Sequence, residues 1–320
     1  MTDAAGLPEL PLLAPWYRVV DDGERLVLEH AHRVLTLEGA AVRTLLPRLL
    51  PLLDGTRTVP EIVAVVGGAA EAAVTNALRL LAERGVLAEG PVPDCGPELR
   101  QTADWLAAEG GASPSVVAGR LAEARIGVVG DGVAALEAAR VLRRAGVGTV
   151  ERQTWDEQGA WDVSVVAPGA LDAERLDTWN EHALAREQPW LQLLPYDGRF
   201  AAVGPLYLPG ETACLRCYRL RRAASLGIGE LAERIDATVG PVSGPAVEVA
   251  AGAVAALHLL RWLGMRDPYV PGVLFAVELR GGVSVTRHSV LRVPRCPVCS
   301  PLARRAAPLP WFQPAIERAA

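Results

Sequence analysis

The chain has 320 residues, a length that predicts about two domains, and half of its residues are apolar, which is enough for a large core. The formal net charge of −5 argues against a nucleic-acid-binding protein, which would present a basic surface. All 32 basic residues are arginines, so phosphate binding by lysine and Schiff-base chemistry are excluded.

The first 90 residues combine short β-like runs with helical stretches. An extended arm is expected before three β-like runs at 16–20, 25–29 and 32–37, with a hairpin signal at Asp22-Gly23. Helical patterns follow at 39–53, 58–67 and 70–84, and a closing strand at 86–87. This order predicts a winged-helix domain over residues 1–90. Because the third helix carries only Arg79 and Arg84, we do not expect it to bind DNA.

One motif in this domain carries a family resemblance. The run Leu52-Leu-Asp-Gly-Thr-Arg-Thr-Val-Pro-Glu-Ile62, with Leu80-Leu-Ala-Glu-Arg-Gly-Val-Leu87 behind it, resembles the PqqD-like precursor-recognition domains of ribosomal-peptide maturation systems. The resemblance implies that a leader peptide adds a strand to the sheet edge. The implied edge strand is Arg33, Val34, Leu35, Thr36 and Leu37, and the implied helix wall is Ala73, Ala77, Leu80 and Arg84.

A linker leads into the second domain, whose first strand is followed by a glycine turn. Gly90-Pro-Val-Pro-Asp-Cys-Gly-Pro97 begins a linker and helical connection over residues 91–120, and the domain itself is predicted over 121–320. A buried strand at 125–129 leads into Gly130-Asp-Gly132, a helix at 133–145 and a strand at 147–151, in a Rossmann-type order. Glu151 lies near the expected place of a ribose-binding acid. The glycines suit either phosphate binding at the helix start or close packing of helix on sheet.

The rest of the chain continues the α/β pattern. Strands are predicted at 161–167, 190–194, 199–206, 273–279 and 283–290, with helices at 173–186 and 246–263. The last helix is apolar but contains Glu248, His258 and Arg261, so we interpret it as a buried helix and not as a membrane span. No signal-peptide pattern is seen at the N-terminus, and we expect a cytoplasmic protein.

Two cysteine doublets are the most specific chemical feature of the chain. They are Cys214-Leu-Arg-Cys217 and Cys296-Pro-Val-Cys299. Two such pairs suit a tetrahedral structural Zn²⁺, which leaves no open position for catalysis. Two disulfides would require an oxidising compartment, and a redox Cys-x2-Cys usually occurs singly. Cys95 is interpreted as a bystander in the linker.

The cysteine pattern carries a second resemblance, over about residues 120–300. Pro209-Gly-x-x-x-Cys-x-x-Cys217 followed by Cys296-Pro-x-Cys299 resembles the ThiF/MoeB group of ubiquitin-activating-enzyme-like proteins. Active members adenylate a carboxyl terminus with ATP and Mg²⁺, using a lysine, an arginine segment and an aspartate at a strand end. Here there is no lysine, and Ala167-Pro-Gly169 stands at the aspartate's place. We therefore expect that ATP does not bind and that Gly130 and Gly132 are vestigial cofactor residues.

Taken together, the two halves resemble the Ocin-ThiF type of leader-binding partner protein in thiazole- and oxazole-forming peptide pathways. The resemblance implies a non-catalytic scaffold that binds a precursor's leader and presents the precursor to a YcaO-type cyclodehydratase, without nucleic-acid or membrane partners. It also suggests a homodimer through the ThiF-like half, and the tail 301–320, with Trp311 and Phe312, is expected to pack on a partner. The alternative is an ATP-dependent adenylating enzyme acting on a peptide carboxylate.

Overall fold

The computed structural model describes residues 6–156, 159–169, 172–229, 231–236, 238, 240–279 and 281–300. The predicted C-terminal tail at 301–320 lies outside these residues. The chain divides into two compact units. The first contains Met1–Ala124, Arg143–Gly148 and Leu260–Arg266, and the second contains Arg125–Leu142, Thr149–Leu259 and Asp267–Ala320.

Most strands and helices follow the order that the sequence patterns predict, whereas the helices at Leu215–Leu226 and Leu231–Asp236 were not predicted. The strands are β1 (Pro11–Leu13), β2 (Arg18–Asp21), β3 (Arg25–His30), β4 (Arg33–Glu38), β5 (Leu87–Glu89), β6 (Arg125–Val129), β7 (Thr149–Gln153), β8 (Val163–Val166), β9 (Trp190–Leu193), β10 (Phe200–Tyr207), β11 (Val273–Glu278) and β12 (Ser284–Ser289). The helices are α1 (Ala40–Thr44), α2 (Leu46–Leu49), α3 (Val59–Val66), α4 (Glu71–Glu83), α5 (Pro97–Glu109), α6 (Pro114–Glu123), α7 (Val133–Arg144), α8 (Ala173–Ala185), α9 (Leu215–Leu226), α10 (Leu231–Asp236) and α11 (Pro245–Leu260).

A three-stranded antiparallel sheet in the order β2-β3-β4 forms one side of the first unit. Leu26 and Leu28 of β3 are fully buried and lie opposite Leu37 and Leu35 of β4. Residues of α2, α3 and α4 complete the same core, with Leu49, Ile62 and Leu78 at 0% exposure. The single helix expected at 39–53 is instead broken at Leu45, with Pro47 in the first turn of α2.

The N-terminal arm is a paired strand. β1 pairs antiparallel with β5, from Pro11 opposite Glu89 to Leu13 opposite Leu87. The Glu89 carboxylate also accepts the backbone N–H groups of Glu9, at 2.9 Å, and of Leu10, at 2.8 Å. The closing strand therefore belongs to a separate two-stranded sheet. Among the described residues, β4 pairs only with β3 and remains an edge strand.

Two helices occupy the segment that was predicted to connect the domains. α5 and α6 are packed through Leu106 and Leu121, both at 0% exposure. Ser113 caps α6 by accepting the N–H of Val116 at 3.4 Å. A Cβ on Gly264 would come within 3.0 Å of a Val117 methyl, so a glycine there lets the chain pass close to α6.

A seven-stranded mixed sheet forms the second unit, in the order β12-β11-β10-β9-β8-β6-β7. β7, β6, β8 and β9 are parallel, whereas β10, β11 and β12 join antiparallel. Every residue of β8 and β9 is buried, as expected for parallel strands covered on both faces. The predicted α/β class is therefore confirmed, with a Rossmann-like sheet.

The apolar helix predicted at 246–263 lies against another helix of the second unit. A Cβ on Gly252 would collide with the Ala134 carbonyl oxygen of α7, so the two helices approach closely. Among the described residues, Pro245–Met265 is the one continuous helix long and apolar enough to cross a membrane by length and composition, and 39% of its apolar window is buried. The two helical stretches Val59–Val66 and Gly68–Glu83 pass the same test only as a pair, with a bend of 115° between them.

Candidate metal centre, glycine turn and sheet edge

The four doublet cysteines converge on one point. Their sulfur atoms all lie within 4.8 Å of one another. Sγ of Cys214 is 3.8 Å from that of Cys217 and 3.8 Å from that of Cys296, and Sγ of Cys217 is 3.5 Å from that of Cys299. A tetrahedral zinc with bonds of ~2.3 Å requires sulfurs roughly 3.8 Å apart, whereas a disulfide requires ~2.05 Å. The spacing therefore fits a four-thiolate metal site and not two disulfides.

The local structure acts on the charge of these sulfurs in two opposing ways. Cys214 is the N-cap of α9 and Cys217 lies in its first turn, where the positive end of the helix dipole favours thiolates. The Val293 N–H donates to the Cys217 sulfur at 3.3 Å. Burial raises the pKa of the Cys214 thiol, and it raises the pKa of Cys299 to about 11. A bound dication would therefore displace protons from buried thiols, as at structural zinc sites.

Two arginines fasten the loops that carry the doublets. Arg292 donates to the carbonyl oxygens of Gly210, at 2.6 Å, and Cys299, at 3.1 Å, and so joins the two knuckles. Arg221 donates to the carbonyl oxygens of Leu291 and Arg292. Nothing in the local pattern marks Arg292, because its partners lie 82 and seven residues away.

Four arginines lie within or soon after the first doublet, and they are Arg216, Arg219, Arg221 and Arg222. This crowding predicts that they offset the negative charge of a four-thiolate centre. Arg219 forms an ion pair with Asp177 of α8 at 2.5 Å. Arg221 is engaged with backbone carbonyls, as described above. These contacts do not remove the charge of either guanidinium group, so charge balance by the four arginines stays a prediction.

In the glycine turn after β6, close packing explains the glycine at one of the two positions. Gly130 has φ +108°, and a Cβ there would collide with the carbonyl oxygen of Ala167 and lie 3.2 Å from its Cβ. Gly132 has no positive φ, and no described heavy atom lies within 4 Å of such a Cβ. The first glycine is therefore required where the turn passes the end of β8, whatever the turn binds.

The strand register places Glu151 away from the ribose position. Glu151 is in the middle of β7, opposite Gly127, and its side chain is exposed. The last residue of β7 is Gln153, opposite Val129, and its amide oxygen accepts the Ser164 hydroxyl at 3.2 Å. The assignment of Glu151 to the strand end is thus wrong by two residues. An uncharged, buried glutamine stands there instead.

The outer edge of β4 presents backbone groups at alternate residues. The Arg25 carbonyl accepts the Asp22 N–H at 3.2 Å, so Arg25 directs its polar groups towards β2 and away from β4. Arg25 lies opposite Glu38 in the β3–β4 register. Because antiparallel pairs alternate between bonded and non-bonded, the N–H and C=O groups of Val34, Thr36 and Glu38 point away from β3. These three residues offer the bonding pattern that an added strand requires.

The predicted peptide-binding side chains differ in how far they are exposed. Val34 is 63% exposed and Leu80 is 39% exposed, which is unusual for large apolar side chains. Leu35, Leu37 and Ala77 pack partly against the shared core of the first unit. The remaining predicted residues, which are Arg33, Thr36, Ala73 and Arg84, are exposed. Their contact with a peptide stays a prediction.

No protein-family model matches the sequence, and no curated protein matches it. Solved structures do match, each over 91% of this chain. A heterocyclase in complex with substrate and cofactor has a TM-score of 0.66 at 23% identity, and the heterocyclase TruD has 0.67 at 24%. The microcin C7 biosynthetic enzyme MccB, in complex with N-formylated MccA, has 0.63 at 16%.

The chain has the fold of these heterocyclases and of MccB. It spans 39% and 43% of the length of the two heterocyclases but 99% of MccB. The predicted ThiF-like sheet with a closely spaced cysteine quartet is consistent with this likeness. At identities below 25% the likeness concerns the fold, and the function has to be argued from the residues of this chain.

Proposed function

We propose that this protein binds the leader of a ribosomally made precursor peptide and presents the precursor to a YcaO-type cyclodehydratase for azoline formation. One observation carries the proposal. Nearly the whole chain matches about two fifths of each heterocyclase, so we assign to it one part of such an enzyme's task and assign the cyclisation chemistry to a part that this match does not cover. In this role the chain contributes proximity, because tethering raises the effective concentration of the core peptide at the partner's active site.

The exposed edge of β4 supports the binding role. The described chain leaves this edge unpaired, and Val34, Thr36 and Glu38 direct their backbone groups outwards. Strand addition at such an edge gives affinity through backbone hydrogen bonds, and side chains near it set the register. The exposed arginines Arg33 and Arg84 favour acidic residues in the leader.

Missing phosphate-binding side chains support a non-catalytic role. The chain has no lysine. The ends of β7 and β8 carry Gln153 and Ala167 and not carboxylates, so neither strand end offers an acid for a ribose or for Mg²⁺. Within the resemblance to adenylating proteins, these are the positions that would handle ATP. Their replacement supports the scaffold role.

A structural Zn²⁺ bound by Cys214, Cys217, Cys296 and Cys299 belongs to the same proposal. The sulfur spacing fits this ion, and four thiolates leave no open coordination position for a substrate. The ion would join the start of α9 to the segment after β12, two regions about 80 residues apart in the chain.

Adenylation of a peptide carboxylate is the second candidate, and one observation favours it. The match to MccB covers 99% of that enzyme, and the matched structures include MccB with ATP. ATP–pyrophosphate exchange in the presence of the precursor encoded beside this chain separates the two candidates. The scaffold role predicts no exchange above a protein-free blank. Exchange that depends on the precursor would reject it in favour of adenylation.

Leader binding is tested directly by fluorescence polarisation. The probe is a labelled peptide that carries the N-terminal half of the precursor encoded beside this chain. We expect saturable binding that Leu80→Glu abolishes, because the exposed Leu80 would be replaced by a charge at the implied groove wall. Glu71→Gln, at an exposed site at the start of the same helix, serves as the control. Absence of saturable binding by the wild-type protein would contradict the proposal.

A further inference from the structure

A small cavity of about 30 Å³ lies between α8 and the chain segment that joins β7 to β8. Gly159 and Trp161 line it from that segment, and Trp179 and Arg186 line it from α8 and its end. Trp161 and Gln188 of the lining each precede a strand by two residues, β8 and β9 respectively. The cavity therefore lies towards the amino ends of these strands, away from the glycine turn after β6. None of the roles proposed above uses it.

Two buried indole groups in the lining have no acceptor. The Nε1 atoms of Trp161 and Trp179 are both buried, and neither has a hydrogen-bond partner among the described residues. The whole side chain of Trp179 is only 5% exposed, so bulk water does not replace the missing partner. A buried N–H group that stays unpaired costs free energy, and a cavity that contains two of them therefore favours a ligand that accepts hydrogen bonds.

Two glycines leave the space beside the Trp161 N–H open. A Cβ on Gly159 would lie 2.5 Å from Trp161 Nε1, and a Cβ on Gly127 would lie 3.0 Å from it. Gln153 Oε1 lies on the same side of Gly127, but it accepts the Ser164 hydroxyl at 3.2 Å and not the indole N–H. The described chain therefore leaves this donor to a ligand in the cavity.

The charges of the lining favour an anion. Arg186 brings a guanidinium group, and no carboxylate is present among the described lining residues. The carbonyl groups of His182 and Ala183 at the end of α8 already accept the N–H groups of Arg186, at 3.1 Å, and of Gln188, at 2.9 Å. The lining thus supplies donors and positive charge, and hydrogen bonds to an ionised acceptor are stronger than those to a neutral one.

The size of the cavity limits the ligand to a very small one. Its volume is close to the ~30 Å³ that one molecule occupies in liquid water, so it has room for a monatomic ion and not for a phosphate or a nucleotide. A water molecule also fits this volume, and it is the alternative that the experiment has to exclude.

We propose that this cavity binds a chloride ion between the indole N–H groups of Trp161 and Trp179, with the Arg186 guanidinium adding positive charge. The ion joins the segment between β7 and β8 to α8, and all the described lining residues belong to the second unit. The site contains no residue of β4 and none of the four clustered cysteines, so it is independent of leader binding and of the metal.

Thermal unfolding of the full chain tests the site in sodium chloride and in sodium gluconate of equal ionic strength, since gluconate is too large for the cavity. We expect chloride to raise the unfolding temperature by ~3–5 °C relative to gluconate, because a ligand that binds only the folded chain stabilises it. Trp179→Phe keeps an aromatic ring but removes one N–H donor, and it should abolish the difference between the two salts. Each variant is compared with itself in the two salts, so a change in its basal stability does not affect the result.

Trp155→Phe is the matched control and should keep the difference between the salts. Trp155 lies edge-on against the Trp179 ring, with 6.1 Å between the ring centroids, but it does not line the cavity. A salt effect that is equal in the wild-type protein and in Trp179→Phe would be a general effect of the two anions and would overturn the proposal. So would the absence of any difference in the wild-type protein.

Crystals of the wild-type chain grown in sodium bromide test the position of the ion without any variant. We expect an anomalous bromide peak in contact with both indole nitrogens. A water molecule there without a bromide peak overturns the proposal. A bromide peak without the chloride-specific rise in unfolding temperature means binding at crystal concentration only, and it overturns the proposal as well.

Discussion

Gly130 and Gly132 lie two residues apart in one turn, yet only the first has no room for a side chain. Gly130→Ala would place a methyl group against the Ala167 carbonyl at φ +108°. We expect it to destabilise the second unit by about 1–3 kcal/mol, the usual cost of such backbone strain. Gly132→Ala should change stability little, because its Cβ meets no described atom within 4 Å. Urea denaturation of both variants provides the measurement.

The same pair of variants bears on nucleotide binding. If the turn held a phosphate, the methyl group added by Gly132→Ala would stand where the backbone approaches the ligand. Gly132→Ala would then lower the affinity for the nucleotide as much as Gly130→Ala does. Equal losses of stability in the two variants would contradict the packing explanation. ATP binding by the wild-type protein that Gly132→Ala removes would show that the turn also holds a phosphate.

Single residues were predictable where chemistry acts at short range along the chain. The two Cys-x2-Cys doublets were recognisable because each short turn presents two sulfurs, and the structure brings all four together. Glu151 was misplaced because a shift of two residues in a strand end is not visible in a run of alternating residues. Arg292 was missed because its partners are set by the tertiary fold.

At the scale of elements, the β4 edge gives a prediction that depends on backbone direction. Thr36→Pro removes an outward N–H and leaves the β3 side of the strand intact, since Thr36 lies at a non-bonded pair with Val27. We expect a folded protein whose affinity for a labelled leader falls at least ~10-fold, the loss of about 1.4 kcal/mol. Fluorescence polarisation measures it.

A proline at the opposite edge of the same sheet serves as the control. Val19 of β2 lies opposite Leu28 at a pair that the same alternation leaves non-bonded, so its N–H also points outwards, and it is 42% exposed. Val19→Pro should leave leader binding unchanged. Binding that survives Thr36→Pro, or that is lost equally in both variants, would show that the leader does not add to β4.

Elements were predicted well wherever periodicity and turn residues agreed. The helix expected at 58–67 begins with a Thr-x-x-Glu pattern typical of a capping box, and the Glu61 carboxylate accepts the Thr58 N–H at 2.8 Å at the start of α3. The partner of β5 was not predictable in this way. β1 and β5 are more than 70 residues apart, and a three-residue strand carries too little pattern to specify its neighbour.

At the scale of the whole molecule, the metal is expected to act as a long-range link. The chain should copurify with one zinc ion per molecule, and removal of the ion should lower the unfolding temperature by roughly 10 °C. The link closes a loop of about 80 residues, which stabilises the folded state by roughly 3–5 kcal/mol. In a unit of this size, each kcal/mol of stability shifts the unfolding temperature by ~2–4 °C. Elemental analysis and differential scanning calorimetry measure both quantities.

Cys214→Ser should lower the unfolding temperature as removal of the ion does. Cys95→Ser is the matched control, because Cys95 lies outside the cluster. A metal-free protein with an unchanged unfolding temperature would argue that packing alone holds the cysteine loops.

The proposed division of labour between this protein and a separate cyclodehydratase makes a final prediction. If this protein only binds and presents the precursor, a cyclodehydratase encoded beside it should modify the full precursor slowly on its own. At low micromolar concentrations, adding this chain should make the modification at least ~100-fold faster. That factor is the lower end of the gain expected from tethering. The gain should disappear for a precursor without its leader, and Thr36→Pro should reduce it while Val19→Pro does not. Mass spectrometry follows each turnover as the loss of one water. An equal gain for a precursor without its leader would show that this chain activates the partner enzyme and does not act by binding the leader.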